Sequence, residues 1–240
     1  MNKEAGWLLN DKYDGIKSPE FFSDLKKLEN GEPLAYIIGW IPFLHTKIFL
    51  DSRPLIPRPE TEYWVKLAID EIKAKNLDTP KILDLCAGSG CIGVAVLNAL
   101  PSSTVDFVEI DEVHHKTIEK NISENNISAD RVQIMSGDLF KKVSETYDAI
   151  LTNPPYIDSK LNRVDESVVL HEPKRALYGG ESGMDFVIRI ISEAPKYLNT
   201  GGILYIEHEP EQAKMIKSLA PNSEQLEDQF KLVRFTRIKF

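Results

Sequence analysis

The sequence predicts an α/β fold: a mostly parallel sheet with helices on both faces. Three observations predict it. From Lys81 onward, short apolar segments alternate with segments of helical period, the order that builds a covered parallel sheet. The first apolar segment runs into Gly88-x-Gly90-x-x-Gly93, a strand–turn–helix glycine pattern. The chain of 240 residues, 42% hydrophobic and 28% charged, has enough apolar material for one large domain or a domain with a small companion.

Residues 1–33 read as a short helical region. "KEAGWLL" and "SPEFFSDLKKLEN" carry apolar residues at helical spacing, with Ser18 as an N-cap and Pro19 in the first helical position. Residues 34–56 read as a β-hairpin and linker, because "LAYIIGWIPFLHTKIFL" is aromatic and β-branched around Gly39 and Pro42. Arg53 to Glu62, with three prolines and two acids, reads as a stiff loop. Residues 57–240 form the main domain. Its first helix carries Trp64, Leu67, Ala68 and Ile72 on one face.

Strands are expected at 81–87, 104–110, 131–137, 147–153 and 201–208, and helices at 91–99, 112–125, 184–198 and 210–219. The tail "FKLVRFTRIKF" alternates and fits an added edge strand. Residues 154–183 show little periodicity, and a loop that long inside a compact domain is usually functional or disordered.

The formal net charge of −8 argues against general polyanion binding, which needs a basic footprint. Cys86 and Cys91 lack zinc spacing and are too few for a disulfide framework, so they read as small apolar thiols in a reducing compartment. The histidines, His114 and His115 included, have no metal spacing and read as surface residues; no metal is expected. Trp7, Trp40 and Trp64 read as core. No stretch resembles a signal peptide or reaches the length of a membrane span, so a cytoplasmic protein is expected.

The glycine loop, Cys86 to Gly90 with Ala87 and Ser89 between, allows close backbone approach to a ligand. Glu109 lies 21 residues after Gly88 and ends the next strand, where a carboxylate grips ribose hydroxyls. Asp84, four residues before Gly88, can hold the loop or face a cationic ligand. Dinucleotide loops place no such acid there, so the pattern favours S-adenosylmethionine over a nicotinamide cofactor. Asp138 ends the third strand and can accept an adenine amino group, while Leu139 packs the ring.

Asn153-Pro154-Pro155-Tyr156 ends the fourth strand at the same sheet edge. The Asn153 side-chain carbonyl and the Pro154 backbone carbonyl are acceptors held in one rigid turn. Together they can receive both hydrogens of a planar –NH2 group, against which Tyr156 can lay its ring. Such a nitrogen is a poor nucleophile until its lone pair is directed and the reactants are aligned. These residues alone suit a carboxamide or an adenine equally.

"NPPY", "GEPLAYIIG", "LIPRPETE", "HEPKRALYGGESGMD" and "EHEPEQ" together resemble the HemK/PrmC family of class I, Rossmann-like S-adenosylmethionine-dependent methyltransferases, from about residue 30 to the end. The resemblance implies methylation of the GGQ-loop glutamine of class 1 peptide chain release factors. It implies donor contacts at Cys86 to Gly90, Glu109, Ile110, Asp138, Leu139 and Asn153. It implies that Asn153, Pro154, Pro155 and Tyr156 bind the substrate glutamine, with Asn153, Pro154 and Tyr156 as the catalytic set. Arg58 and Glu60 match the loop before the domain. The implied partner is a release factor, with no stable nucleic-acid or membrane association and a monomeric enzyme. The alternatives are a ribosomal-protein glutamine methyltransferase, a DNA adenine methyltransferase, a non-catalytic binding module and a dehydrogenase. The acidic chain and "RPETE" favour the release-factor reading.

Overall fold

A computed structural model describes residues 3–161 and 164–240. Met1 and Asn2, within the region read as helical, and Asn162 and Arg163 lie outside the described residues. Helices α1 (Lys3–Tyr13) and α2 (Pro19–Glu29) open the chain, and the Ser18 hydroxyl accepts the Phe21 N–H as the expected cap. They pack Leu8, Leu9 and Phe21 with Ile37 into a small core of their own. Asp24 ties the pair together by accepting from Lys12, Tyr13 and Lys27.

Leu34–Ile38 form a short helix, α3, where the sequence suggested the first hairpin strand. Pro33 sets the entry, and Gly39 at φ 92° ends the turn in the left-handed region that glycine tolerates. The hairpin is shorter: β1 (Trp40–Phe43) pairs antiparallel with β2 (Thr46–Phe49). Helix α4 (Pro59–Ala74) then buries Thr61, Trp64, Val65, Ala68, Ile69 and Ile72. Leu67, expected on that face, is exposed because the buried stripe runs through 64/65 and 68/69 instead.

The main sheet holds β3 (Lys81–Leu85), β4 (Thr104–Glu109), β5 (Val132–Ser136), β6 (Tyr147–Thr152), β7 (Leu198–Glu207), β8 (Glu224–Glu227) and β9 (Val233–Lys239), in the order β5-β4-β3-β6-β7-β9-β8. The first five positions are parallel; β9 alone is reversed, pairing antiparallel with both β7 and β8. The alternating tail is therefore an inner strand, and β8, unread in the sequence, forms the edge. The sheet has two apolar faces, as the alternation requires. Ile82, Phe107 and Ala149 pack with α4, α5 (Cys91–Ala99) and α6 (His115–Glu124). Leu83, Val108 and Ile150 pack with α9 (Asp185–Glu193) and α10 (Ala213–Leu219). Helix α9 is shorter than the expected 184–198, since Pro195 falls in the 3-10 turn Ala194–Tyr197.

Residues 154–161 and 164–183 carry more regular structure than the weak periodicity suggests. They contain α7 (Glu166–His171) and α8 (Lys174–Leu177), and Ile157 bridges Tyr178. His114 and His208 are buried rather than on the surface. Trp64 is fully buried as expected, whereas Trp7 is exposed. No described helix is long and apolar enough to cross a membrane.

Candidate active site

The parallel strands β3, β4, β5 and β6 end at one edge, where open α/β sheets bind ligands. After β3 the chain turns through Cys86 at φ 63° and Gly88 at φ 55° before α5 begins. Gly93 is required for a different reason. A Cβ there would lie 2.3 Å from Phe107 Cε1, so its absence lets α5 settle on β4. Asp84 accepts the Gly93 N–H at 2.9 Å, and its other oxygen, Oδ1, is buried with no partner among the described residues. Burial pushes its carboxyl up to about 8 against the pull of that N–H, with the Glu109 charge adding to the rise. Of the two roles open to Asp84 in the sequence, the Gly93 bond serves the first, holding the loop from beneath.

Glu109 binds the loop from the other side. Its Oε2 accepts the Gly88 N–H at 2.8 Å and its Oε1 accepts the Asp111 N–H at 2.9 Å. Between these strand ends lies a cavity of about 220 Å3. Cys86, Gly88, Glu109, Ile110, Asp138, Leu139 and Asn153, all anticipated, line it with Leu55, Val108, Pro155 and Phe186. Ala87, Ser89 and Gly90 do not line it. They shape the turn from behind, the Gly90 N–H donating to the Ala87 carbonyl and Asn121 donating to the Ser89 carbonyl. Arg189 and Lys141 beside Asp138 hold its carboxyl below the usual range.

His114, read as a surface residue, also lines this cavity. Thr117 donates to the Ser52 hydroxyl at 2.7 Å, and that hydroxyl lies 2.8 Å from His114 Nδ1. Burial lowers the His114 pKa.

A second cavity, of about 380 Å3, opens on the far side of Asn153. Pro154 and Tyr156 line it with Arg58 and Glu60, while Pro155 faces the first cavity. Leu55, Asn153 and Ala176 belong to both walls. The Asn153 amide nitrogen donates to Thr61 Oγ1 at 3.2 Å, and Oδ1 has no hydrogen-bond partner among the described residues. Thr61 donates in turn to Glu207 Oε2 at 2.6 Å, which also accepts the Trp64 indole N–H at 2.6 Å. The Tyr156 hydroxyl donates to Glu207 Oε1 at 2.9 Å, so the ring is anchored at its tip. Burial raises the Glu207 carboxyl, opposed by those three hydrogen bonds.

Segments distant in sequence brace this turn. Glu172 accepts from Arg58 at 2.6 Å and from the Ile56 N–H at 3.0 Å, joining the proline loop to α7. Gln212 donates to the carbonyls of Tyr156 and Ser182. A Cβ at Gly183 would sit 1.8 Å from the Tyr156 carbonyl oxygen, so glycine alone admits this approach. The sequence had placed Trp64 only in the core, and Thr61, Glu172, Glu207 and Gln212 only within "LIPRPETE", "HEPKRALYGGESGMD" and "EHEPEQ", with no individual role.

The Methyltransferase small domain family profile matches residues 65–181. Proteins named release factor glutamine methyltransferase align over most of the chain. The one from Rhodopirellula baltica is 36% identical over 82% of this chain and 68% of its own length. The one from Clostridium botulinum is 32% identical over 86% and 75%, and that of Francisella tularensis 38% over 80% and 67%. The chain belongs to the release factor glutamine methyltransferase family. Solved structures add the fold. A methyltransferase from Pyrococcus furiosus superposes with a TM-score of 0.60 at 18% identity, covering 91% of this chain and 98% of that one. The N-terminal domain of human METTL16 in complex with SAH gives 0.56 at 19%, covering 98% and 93%. The class I methyltransferase sheet expected from the sequence is the one observed.

The first cavity suits the family's methyl donor in its chemistry. A Cβ at Gly88 would meet nothing within 4 Å, leaving the loop open to a ligand, and the walls combine the carboxylates of Glu109, Asp111 and Asp138 with apolar Ile110, Leu139 and Phe186. That pairing matches a nucleoside with ribose hydroxyls at one end and a flat base at the other.

Proposed function

We propose that this protein transfers a methyl group from S-adenosylmethionine to the side-chain amide nitrogen of the GGQ-motif glutamine in class 1 peptide chain release factors. One observation carries the reading: the two cavities meet at Asn153, so a donor on one side and an amide on the other reach the same side chain. When bound, S-adenosylmethionine supplies an electrophilic methyl group. In this reading Glu109 would hold the ribose, Ile110 and Leu139 would enclose the base, Asp138 would accept at its rim, and Cys86 and Gly88 would form the floor, with Ala87, Ser89 and Gly90 shaping the turn behind it. Asp84 keeps that floor in place through Gly93.

Asn153 Oδ1 and the Pro154 carbonyl accept the two hydrogens of the glutamine –NH2, while Tyr156 walls its plane and Pro155 closes the turn on the donor side. Both hydrogens held, the nitrogen lone pair points toward the donor cavity, and alignment lowers the barrier; the N–C bond forms as the S–CH3 bond breaks, leaving S-adenosylhomocysteine, and one amide proton passes to water. The rim favours a protein substrate over DNA. Glu60, Asp158, Asp165, Glu209 and Glu211 surround the acceptor cavity, a poor setting for a phosphate backbone. We read the enzyme as a cytoplasmic monomer, and light scattering after size exclusion gives its mass. The test is incubation with labelled S-adenosylmethionine and, in parallel, a release factor, its GGQ Gln→Ala variant and duplex DNA. Label on the release factor alone is expected; label on DNA, or equal label on the variant, would overturn the reading.

A further inference from the structure

The hydrogen bonds beneath Asn153 have a direction set by the donor inventory around the Glu207 carboxylate. The Trp64 indole N–H can only donate, so Glu207 Oε2 must be an acceptor where they meet. Thr61, at 2.6 Å from the same oxygen, and Tyr156, at the other, donate to Glu207 as well; acting as a carboxylate that only accepts, Glu207 takes the single Thr61 proton as a hydrogen bond. With that proton committed, Thr61 Oγ1 can only accept at its other contact. The Asn153 atom 3.2 Å away must then be the –NH2, which turns the side-chain oxygen the other way.

We propose that Thr61 and Glu207 are positioning residues that fix the polarity of the Asn153 amide, so that its oxygen, not its –NH2, meets the incoming substrate nitrogen. The proposal rests on the functional reading above. A reversed amide would set –NH2 against –NH2, opposing donors with no acceptor between them. Nothing in Asn153 itself prevents that reversal, because the two ends of a carboxamide have the same shape. The choice is imposed from α4 and the end of β7, at sequence separations of 92 and 146 residues along the relay. It also assigns a task to the threonine of "RPETE" and to the first glutamate of "EHEPEQ".

Thr61→Val keeps the side-chain shape and removes the relay. Its kcat should fall about 10- to 100-fold, with the affinity for S-adenosylhomocysteine, read by calorimetry, within twofold of wild type on the order expected for an untouched donor site. Thr61→Ser restores the hydroxyl and should recover most of the rate. Glu207→Gln should retain more rate than Thr61→Val, because Trp64 forces the new amide to turn its oxygen toward Thr61. The unmodified protein supplies an independent readout. Nitrogen-15 labelling of asparagine should show an Asn153 side-chain –NH2 protected from solvent exchange, and Thr61→Val should lose that protection. A Thr61→Val enzyme with wild-type kcat, or a freely exchanging Asn153 amide in the wild type, overturns the relay. Failure of the wild type to label a release factor would instead overturn the substrate reading and leave the exchange measurement standing.

Discussion

The donor side and the acceptor side of Asn153 are built in different ways. On the donor side, backbone does most of the binding. The Gly88 and Gly93 N–H groups meet Glu109 and Asp84 across 21 and 9 residues of sequence, and the cavity walls are strand ends and a turn. On the acceptor side, side chains meet from far apart: Thr61 with Glu207 across 146 residues, Trp64 with Glu207 across 143, Arg58 with Glu172 across 114. A ligand common to many enzymes can be held by a local loop. Selecting one amide takes an assembly that exists only after the chain has folded.

The contrast can be broken from either side. Asn153→Ala should cost about 100- to 1000-fold in kcat while leaving S-adenosylhomocysteine binding near its wild-type value. Calorimetry alongside a methylation assay separates the two, and parallel losses would merge the two sides into one site. Glu109→Gln should act in the opposite sense. It replaces an oxygen that accepts a backbone N–H with a group that cannot, and donor affinity should fall roughly tenfold with kcat at saturation largely retained.

Gly183→Ala sharpens the acceptor side. Its Cβ would collide with the Tyr156 carbonyl at a backbone φ of 68°, so the turn must shift. Unfolding in urea should register a loss of about 1–3 kcal/mol, and turnover should fall more than donor affinity.

The smallest effect lies outside both cavities, in the α1–α2 pair. Burial alone would raise the Asp24 carboxyl, but hydrogen bonds from Lys12, Lys27 and Tyr13 outweigh it and hold the pKa at about 2. A depressed folded-state pKa stabilises above the unfolded value, near 4, and that contribution disappears as pH falls toward 2. Asp24→Asn should therefore cost about 1 kcal/mol at neutral pH, with the difference from wild type vanishing in acid denaturation curves.

The same division decides what could be read from the sequence. The glycine loop, Glu109 and "NPPY" were legible because each is a local device: a turn needing left-handed residues, an acid closing a strand, a rigid pair of prolines. The partners of Asn153 were not legible, since nothing in "PETE" says that its threonine faces a glutamate at the end of β7. Short elements failed for a related reason. Residues 34–38 have β-branched and aromatic composition, yet they form a helix because Pro33 and Gly39 bound a single turn against α1 and α2. His114 looked like surface because its burial depends on the hairpin folding over α6.

The bridge between Ile157 and Tyr178 has a consequence for how such an enzyme can change. The Ile157 N–H donates to the Leu177 carbonyl and the Gly179 N–H to the Ile157 carbonyl, closing a neck directly after "NPPY". The described residues between leave and return through this neck, Glu172 ties them to Arg58 and Ile56, and behind the neck Gln212 clamps the turn. The excursion works like a tool held in a chuck: its outline and charge can be exchanged while the grip, and the reacting geometry behind it, stay where they are. Target preference and chemical competence can then drift on separate schedules within one chain.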